Sequence, residues 1–230
     1  MKRMGVIILV GSLAMISLGA DEPTILKAAK DNYARSNEQI RNNGANTALG
    51  IASEAHIRTL IAFDLSSVSN QILSAELQFR PAKSAAEKIN FTVAPMVNTT
   101  NNTAWGEGKG FLGTSGQNAQ KGESCYVRSA FRDTPWESAT GKPLTNLGDS
   151  KLWGTPIAQL TQQYWEEGKW FTIPIHDLAL LKKIRNSTTP ILTLGIWGTD
   201  GNGLYFINSK ESQWAPILKL TLKKDDKKQK

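Results

Sequence analysis

The chain has 230 residues, a formal net charge of +7 at pH 7 and one cysteine, Cys125. Lys2 and Arg3 carry two of these charges, and the segment 223–230, with five lysines and two aspartates, carries a net three. The body between them keeps only about +2, which excludes the concentrated basic face of a nucleic-acid-binding protein. One cysteine excludes an internal disulfide, and a chain of this length can bury a sufficient core without one.

The first 20 residues predict a secretory signal peptide. Lys2 and Arg3 give a basic start, residues 6–18 form an uncharged apolar run, and residues 17–20 are mostly small. The apolar run is shorter than the roughly 20 residues that span a bilayer, so cleavage is favoured over an uncleaved anchor. We expect a mature protein that begins near Asp21, is secreted or lies in the cell envelope, and has no stable membrane insertion. Residues 21–222 are predicted to form a single domain, and 223–230 a basic disordered tail.

Alternation of apolar and polar residues predicts several strands with one buried and one wet face. The clearest cases are segments 72–80, 89–93 and 218–222, while segment 57–65 is apolar on both faces and predicts a central strand. Two late strands are predicted at 190–197 and 204–208, joined by a hairpin-type turn at 199–203. The residues expected to share one core are Phe63, Leu77, Phe79, Phe91, Leu218 and Leu220.

Two segments predict short helices, and one long region gives no readable pattern. In segment 155–168, Thr155 and Pro156 are typical of a helix start, and apolar residues at helical spacing follow them. Segment 177–185 places Leu178, Leu181 and Ile184 on one side. The region 98–152 is rich in Gly, Asn, Thr and Ser, which indicates either functional loops or strands that the sequence pattern does not reveal. Many short strands separated by turns predict an all-β sandwich or barrel.

The residues contain no recognisable catalytic constellation. There is no G-x-S-x-G motif, and the two histidines lack metal-binding or catalytic partners at a suitable spacing. Residues 108–113 match G-x-G-x-x-G without the strand and helix that a dinucleotide site requires. We therefore predict no catalytic residue, no cofactor and no metal ligand. Asp200, in a Gly-rich turn, could contact a structural calcium ion, but an ordinary turn is favoured.

Carboxylates are numerous enough that a glycosidase pair stays open from the sequence. The candidates are Glu107, Asp133, Glu137, Glu166 and Glu167. If the protein cleaves a polysaccharide, Glu107 and Glu137 are the first residues to consider as acid and base.

Exposed aromatic rings in loops can stack on the apolar faces of sugars. Of the seven tryptophans, three lie in the polar middle region: Trp105, Trp136 and Trp153. They could be platforms or pack in the core, and Trp105 and Trp136 are the candidates for ligand binding. Core packing is favoured for the four on predicted helices or strands, which are Trp165, Trp170, Trp197 and Trp214. Arg35, Arg58 and Arg80 occupy or border strands whose neighbouring apolar residues face inward. Their guanidinium groups are expected to point outward, where they could bind sugar carboxylates, although internal ion pairs with Asp31 or Asp64 are the alternative.

A set of short motifs occurs in order along nearly the whole mature chain. The motifs are Asp31-Asn32-Tyr33-Ala34-Arg35, Asn43-Gly44 with Leu49, Arg58-Thr59 through Phe63-Asp64-Leu65, Ser74-Ala75-Glu76-Leu77, Trp105-Gly106-Glu107-Gly108, Pro135-Trp136 with Gly141, Tyr205 to Glu211, and Pro216-Ile217-Leu218. This ordered set resembles the DNRLRE-domain proteins, a family related to disaggregatase and to alginate-type carbohydrate-binding modules. Two segments depart from the family pattern: Gly154-Thr155-Pro156 replaces its Asp-Val-Thr lead, and Cys125-Tyr126-Val127 its Thr-Trp.

The resemblance implies a jelly-roll-like antiparallel β-sandwich, export, and a role on or around polysaccharide, without implying catalysis. Combined with the residue patterns, it predicts an all-β sandwich with one or two short helices that binds a polysaccharide or cell-wall glycan. Its expected ligand-binding residues are Trp105, Trp136, Arg35, Arg58 and Arg80. A polysaccharide-degrading lyase or glycoside hydrolase of the same fold is the alternative, and a structural envelope or adhesion protein is a further one.

Overall fold

The structure is a computed structural model that describes residues 23–52, 57–85, 88–110, 116–199 and 203–224. The predicted signal peptide, His56, Asp200 and the end of the tail lie outside these ranges. The strands are β1 (Thr24–Lys27), β2 (Lys30–Arg35), β3 (Arg41–Asn42), β4 (Ala48–Ala52), β5 (Ile57–Asp64), β6 (Ile72–Phe79), β7 (Ile89–Pro95), β8 (Gln117–Asn118), β9 (Trp136–Glu137), β10 (Pro143–Leu144), β11 (Ala158–Gln163), β12 (Phe171–Pro174), β13 (Ile191–Gly198), β14 (Leu204–Asn208) and β15 (Ile217–Leu222). The helices are α1 (Thr100–Thr103) and α2 (Leu178–Arg185), and short 3₁₀ turns occur at Ser36–Glu38 and Ser150–Leu152.

Two larger sheets form the sandwich. One has four strands in the order β1-β15-β6-β12, and the other has five in the order β11-β7-β13-β5-β2, with antiparallel pairing throughout both. The chain passes from β5 to β6 to β7 by changing sheet each time, and it does so again from β11 to β12 to β13. The prediction of an all-β antiparallel sandwich is confirmed, and this alternation is compatible with the jelly-roll connectivity, which stays a prediction.

A first hydrophobic core fills the space between the two sheets. It contains all six residues that the alternation assigns to one core: Phe63, Leu77, Phe79, Phe91, Leu218 and Leu220. Phe79 packs against Phe91, Trp165 and Phe171, with ring centroids 5.4 to 6.3 Å apart. The predicted buried faces of these strands are therefore confirmed.

A second core lies on the opposite face of the five-stranded sheet. Leu60 and Ala62 of β5 contribute to it, together with side chains from the middle region such as Trp105, Trp136 and Leu147. Segment 57–65 is apolar on both faces because β5 has a core on each side, and it lies between β13 and β2, as expected for a central strand. The middle region thus forms a cover over this sheet.

Two local predictions are wrong. Segment 155–168 contains strand β11 instead of a helix, and Leu160 pairs with Phe91 on the edge of β7. Pairing with the edge of β7 and packing of Ile157 and Leu160 against the first core override the helical spacing. The predicted hairpin between the two late strands is also absent from the described residues, because both edges of β13 are taken by β5 and β7 while β14 pairs with β4.

The second predicted helix is confirmed as α2. The Asp177 side chain caps it by accepting a hydrogen bond of 2.9 Å from the Leu180 N–H. Leu181 and Ile184 are buried in the first core.

Candidate functional site: an aromatic surface around Arg80

The two tryptophans predicted to stack on a ligand are buried in the second core. Trp105 is 1% exposed and Trp136 is 0% exposed. Their indole N–H groups donate to Thr193 Oγ1 and to the Cys125 carbonyl oxygen, each at 3.2 Å. Rings whose faces are packed and whose single donor is bonded cannot offer a platform to a sugar. The ligand-binding role predicted for Trp105 and Trp136 is therefore corrected to core packing.

The outward orientation predicted for the arginines is wrong for Arg58. Its guanidinium carbon lies 4.7 Å from the centroid of the Trp197 ring, and the residue is buried. Burial lowers the pKa of Arg58, with a smaller opposing effect from Tyr126. Arg35 is half-buried, with its guanidinium carbon 5.6 Å from the Tyr33 ring.

Arg80 is the one predicted site residue that lies among exposed aromatic rings. Its guanidinium carbon is 3.7 Å from the Trp214 ring centroid and 5.6 Å from the Trp170 ring centroid. Trp170 is 43% exposed and Trp214 is 41% exposed. We call these three residues the aromatic surface. The Arg80 guanidinium also donates to the Gly168 carbonyl oxygen, which ties it to the turn before Trp170.

Three neighbouring strand ends bring the aromatic surface together. Arg80 directly follows β6, while Trp170 and Trp214 come shortly before β12 and β15, the two strands that flank β6. The pairing of Phe79 with Phe171 places Trp170 next to Arg80. The backbone of Arg80 is fixed as well, because its carbonyl oxygen accepts hydrogen bonds from the Asn208 N–H at 2.9 Å and side-chain amide at 3.1 Å. The arginine is therefore held before any ligand arrives.

The aromatic surface lies at one end of the outer face of the four-stranded sheet. Directly paired residues share a face, so the strand register defines three cross-sheet rows on this side. The rows are Lys27, Ile217, Gln78 and Thr172; then Ile25, Lys219, Glu76 and Pro174; then Thr221 and Ser74. All of these residues are exposed or half-buried. Most are polar, so the face offers hydrogen-bond donors and acceptors along the length of β6.

Trp170 and Trp214 were assigned to core packing by their position near predicted strands. The available signal was their setting: each follows a short polar stretch and precedes the first residue of a strand. A large ring just outside a strand end falls at the rim of a sandwich, where one side stays open to solvent. Sequence alone does not show that two such rings flank the same arginine.

The two carboxylates named for a cleavage mechanism occupy separate hydrogen-bond networks in the described residues. Glu107 accepts the Asp31 N–H at 2.7 Å and contacts Lys210, whereas Glu137 accepts from the Asn101 side chain. Burial raises the pKa of Glu107, and hydrogen bonds from Asp31 and Lys210 oppose this effect. Burial likewise raises the pKa of Asp31 well above its usual value. These contacts do not bring Glu107 and Glu137 together as an acid and base.

The G-x-G-x-x-G match has a packing explanation in its described part. Gly108 has a φ of +83°, and a Cβ atom on Gly110 would overlap the carbonyl oxygen of Asn42. Asn42 in turn donates to the carbonyl oxygens of Glu107 and of Ser124. The glycines allow this loop to press against a buried asparagine, so the motif requires no nucleotide.

A scan against models of protein families finds no match for this chain, and a search of curated proteins finds no relative. The resemblance to DNRLRE-domain proteins accordingly stays a prediction from motifs. Within the described ranges, no helix is long and apolar enough to cross a membrane.

Proposed function

We propose that this chain is an exported, non-catalytic carbohydrate-binding protein that holds an extended polysaccharide or cell-wall glycan on the outer face of its four-stranded sheet. The observation that carries the proposal is the position of the Arg80 guanidinium beside two exposed tryptophan rings.

The chemistry of the aromatic surface suits a sugar. Tryptophan rings offer apolar faces to the CH groups of a pyranose, while a planar guanidinium offers several donors to hydroxyl or carboxylate oxygens. Contacts with Trp170, Trp214 and Gly168 hold Arg80 in place. This reduces the conformational entropy that binding would otherwise cost.

The polar face beside the aromatic surface suits an extended ligand. From Ser74 to Arg80 the chain advances six residues along β6, or roughly 20 Å at the rise of a β-strand. Side chains along this path, such as Gln78 and Glu76, are half-buried and bonded to each other at 3.0 Å. A polymer chain could therefore begin on the aromatic surface and continue along the sheet.

The direct test is a glycan array on the purified protein, followed by calorimetry with the best polymer. Trp214→Ala and Arg80→Ala should each raise the Kd at least about fivefold, since truncating a central aromatic or arginine anchor costs more than about 1 kcal/mol. The melting temperature should stay nearly unchanged, because these side chains lie outside both cores. Leu204→Ala, which shortens an equally exposed side chain on β14, is the matched control and should bind normally.

Three results would contradict the proposal. Unchanged affinity in both variants would remove the aromatic surface as the site. Shortened oligosaccharides, released from the bound polymer by the wild type, would disprove the non-catalytic part. Secreted material that still begins at Met1, found by N-terminal sequencing, would argue against signal cleavage.

A further inference from the structure

Three carboxylates from distant parts of the chain converge on one point. Asp31 is in β2, Glu107 follows Trp105 in the middle region, and Glu211 lies in the segment between β14 and β15. One carboxylate oxygen from each residue lies within 4.8 Å of one oxygen from each of the other two. Like charges at this separation repel strongly unless a cation lies among them.

Asp31 is the most constrained of the three. Its side chain is 0% exposed, and Oδ2 accepts the Lys210 N–H at 2.6 Å. Oδ1 is buried without a hydrogen-bond partner in the described residues. A buried carboxylate oxygen that lacks a partner is costly, and proteins normally supply a donor or a metal ion.

The charges nearby do not balance the cluster. The Lys210 ammonium is 3.0 Å from Glu107 Oε2 and 2.6 Å from Glu211 Oε1, and it supplies one positive charge to three carboxylates. Lys30 acts on Glu107 only at longer range, because its ammonium donates to the carbonyl oxygens of Thr103 and Trp105 at 2.9 and 2.8 Å. The Asp31 oxygen that lacks a donor is therefore also poorly compensated in charge.

We propose that Asp31, Glu107 and Glu211 form a binding site for a hard divalent cation, with Ca²⁺ as the ion that fits best. All three ligands are carboxylates, the ligand type that Ca²⁺ prefers. Two oxygens on opposite sides of one Ca²⁺ are about 4.6 to 5.2 Å apart, given Ca–O distances of 2.3 to 2.6 Å. The three oxygens lie within 4.8 Å of one another, which is close enough for one Ca²⁺ to contact all three.

The Lys210 ammonium competes with the cation for the same carboxylates. Its side chain is 25% exposed, so its ammonium group can turn toward solvent when the ion binds. The bound ion would join the first strand of the five-stranded sheet, the cover of the second core and the segment before the last strand.

The test is calorimetric titration of the chelator-treated protein with CaCl₂, alongside melting curves with and without Ca²⁺. We expect one site with a Kd in the range of about 10⁻⁴ to 10⁻³ M typical of extracellular modules, and a melting temperature that rises with Ca²⁺. Glu211→Gln should weaken binding about tenfold or more, since calcium affinity depends on the number of charged ligands. Lys210→Met should tighten binding, because the competing ammonium is gone.

Glu166→Gln is the matched control, since Glu166 is also an exposed carboxylate paired with a lysine, Lys169. It should bind Ca²⁺ as the wild type does. Glu211 is exposed, so its variant should fold and keep its melting temperature without Ca²⁺.

The proposal is overturned if folded wild type shows neither heat of binding nor a shift in melting temperature at about 10 mM Ca²⁺, ten times the weakest Kd expected. Equal affinity in Glu211→Gln and Glu166→Gln would overturn it too. Neither measurement involves a glycan, so this outcome is independent of the carbohydrate proposal.

Discussion

The two cores on either side of the five-stranded sheet are built in different ways. In the first, the apolar residues alternate along regular strands, as Leu77 and Phe79 do in β6. In the second, most come from a segment with little regular structure, where Trp105, Trp136 and Leu147 are separated by polar stretches. Both cores nevertheless contain side chains with no measurable exposure.

The difference lies in how the backbone is hydrogen-bonded. The strands around the first core bond to one another, whereas the irregular cover of the second core also relies on buried side chains. Asn102 is an example: its amide donates to the carbonyl oxygens of Val97 and Glu137 at 2.9 and 2.8 Å, and its Oδ1 accepts the Glu137 N–H at 2.9 Å. Many Asn, Ser and Thr residues in a segment can thus indicate buried backbone support as well as exposed loops.

The largest expected effects come from truncating one large ring in each core. Phe79→Ala and Trp136→Ala should each lower the free energy of unfolding by about 3 to 5 kcal/mol, because both rings are fully buried. Urea denaturation followed by circular dichroism measures both. A loss under about 1 kcal/mol for Trp136→Ala alone would show that the second core is a loosely attached cover; the same small loss for Phe79→Ala would contradict its place in the first core.

A finer comparison uses two adjacent residues of β5 that face opposite cores. Leu60 belongs to the second core and Ile61 to the first, and both are buried. Each replacement by alanine should cost about 2 to 5 kcal/mol. The native thiol of Cys125 reports on the second core, because it is buried in the middle region and burial raises its pKa.

Under native conditions, Leu60→Ala should speed chemical labelling of Cys125 more than Ile61→Ala does. The reason is that only the first change weakens the packing of the cover directly. Matching the two variants at equal loss of global stability, with added urea where needed, provides the control. Equal labelling rates at equal stability would mean that the two cores open as a single cooperative unit.

The smallest effect concerns the contact between the five-stranded sheet and its cover. A Cβ atom on Gly195 in β13 would overlap the Trp153 ring, so Gly195→Ala should cost about 1 to 3 kcal/mol by overpacking. In a Trp153→Ala background the same change should cost much less. A double-mutant cycle from denaturation curves measures this coupling, and purely additive effects would show that the ring does not press on Gly195.

The part of the fold that could be predicted is the part encoded locally. Alternation along β6, β7 and β15 gave both the strands and their core residues, and Asp177 with its following apolar residues indicated α2. Strand partners are not encoded locally. For this reason the sequence predicts a hairpin between β13 and β14, whereas β14 pairs with β4 in the structure. It likewise predicts a helix where β11 pairs with β7.

Less of the candidate site could be predicted, for the same physical reason. Arg80 was recognised because it extends the polar face of β6, but its ring partners come from two other strand ends that only the sheet order brings together. Trp136 was placed on the surface because its sequence neighbours are polar. The residues that cover it come from elsewhere in the chain.

The pairing of β1 with β15 determines how this fold would respond to mechanical force. Thr24, at the start of β1, lies opposite Leu220, near the end of β15. Tension applied between these two points acts across the strands and so loads their hydrogen bonds one pair at a time, from one end. Strands pulled along their length would instead share the load among all pairs. The sandwich should therefore peel open at low force from this corner, while β6, held between β15 and β12, separates later.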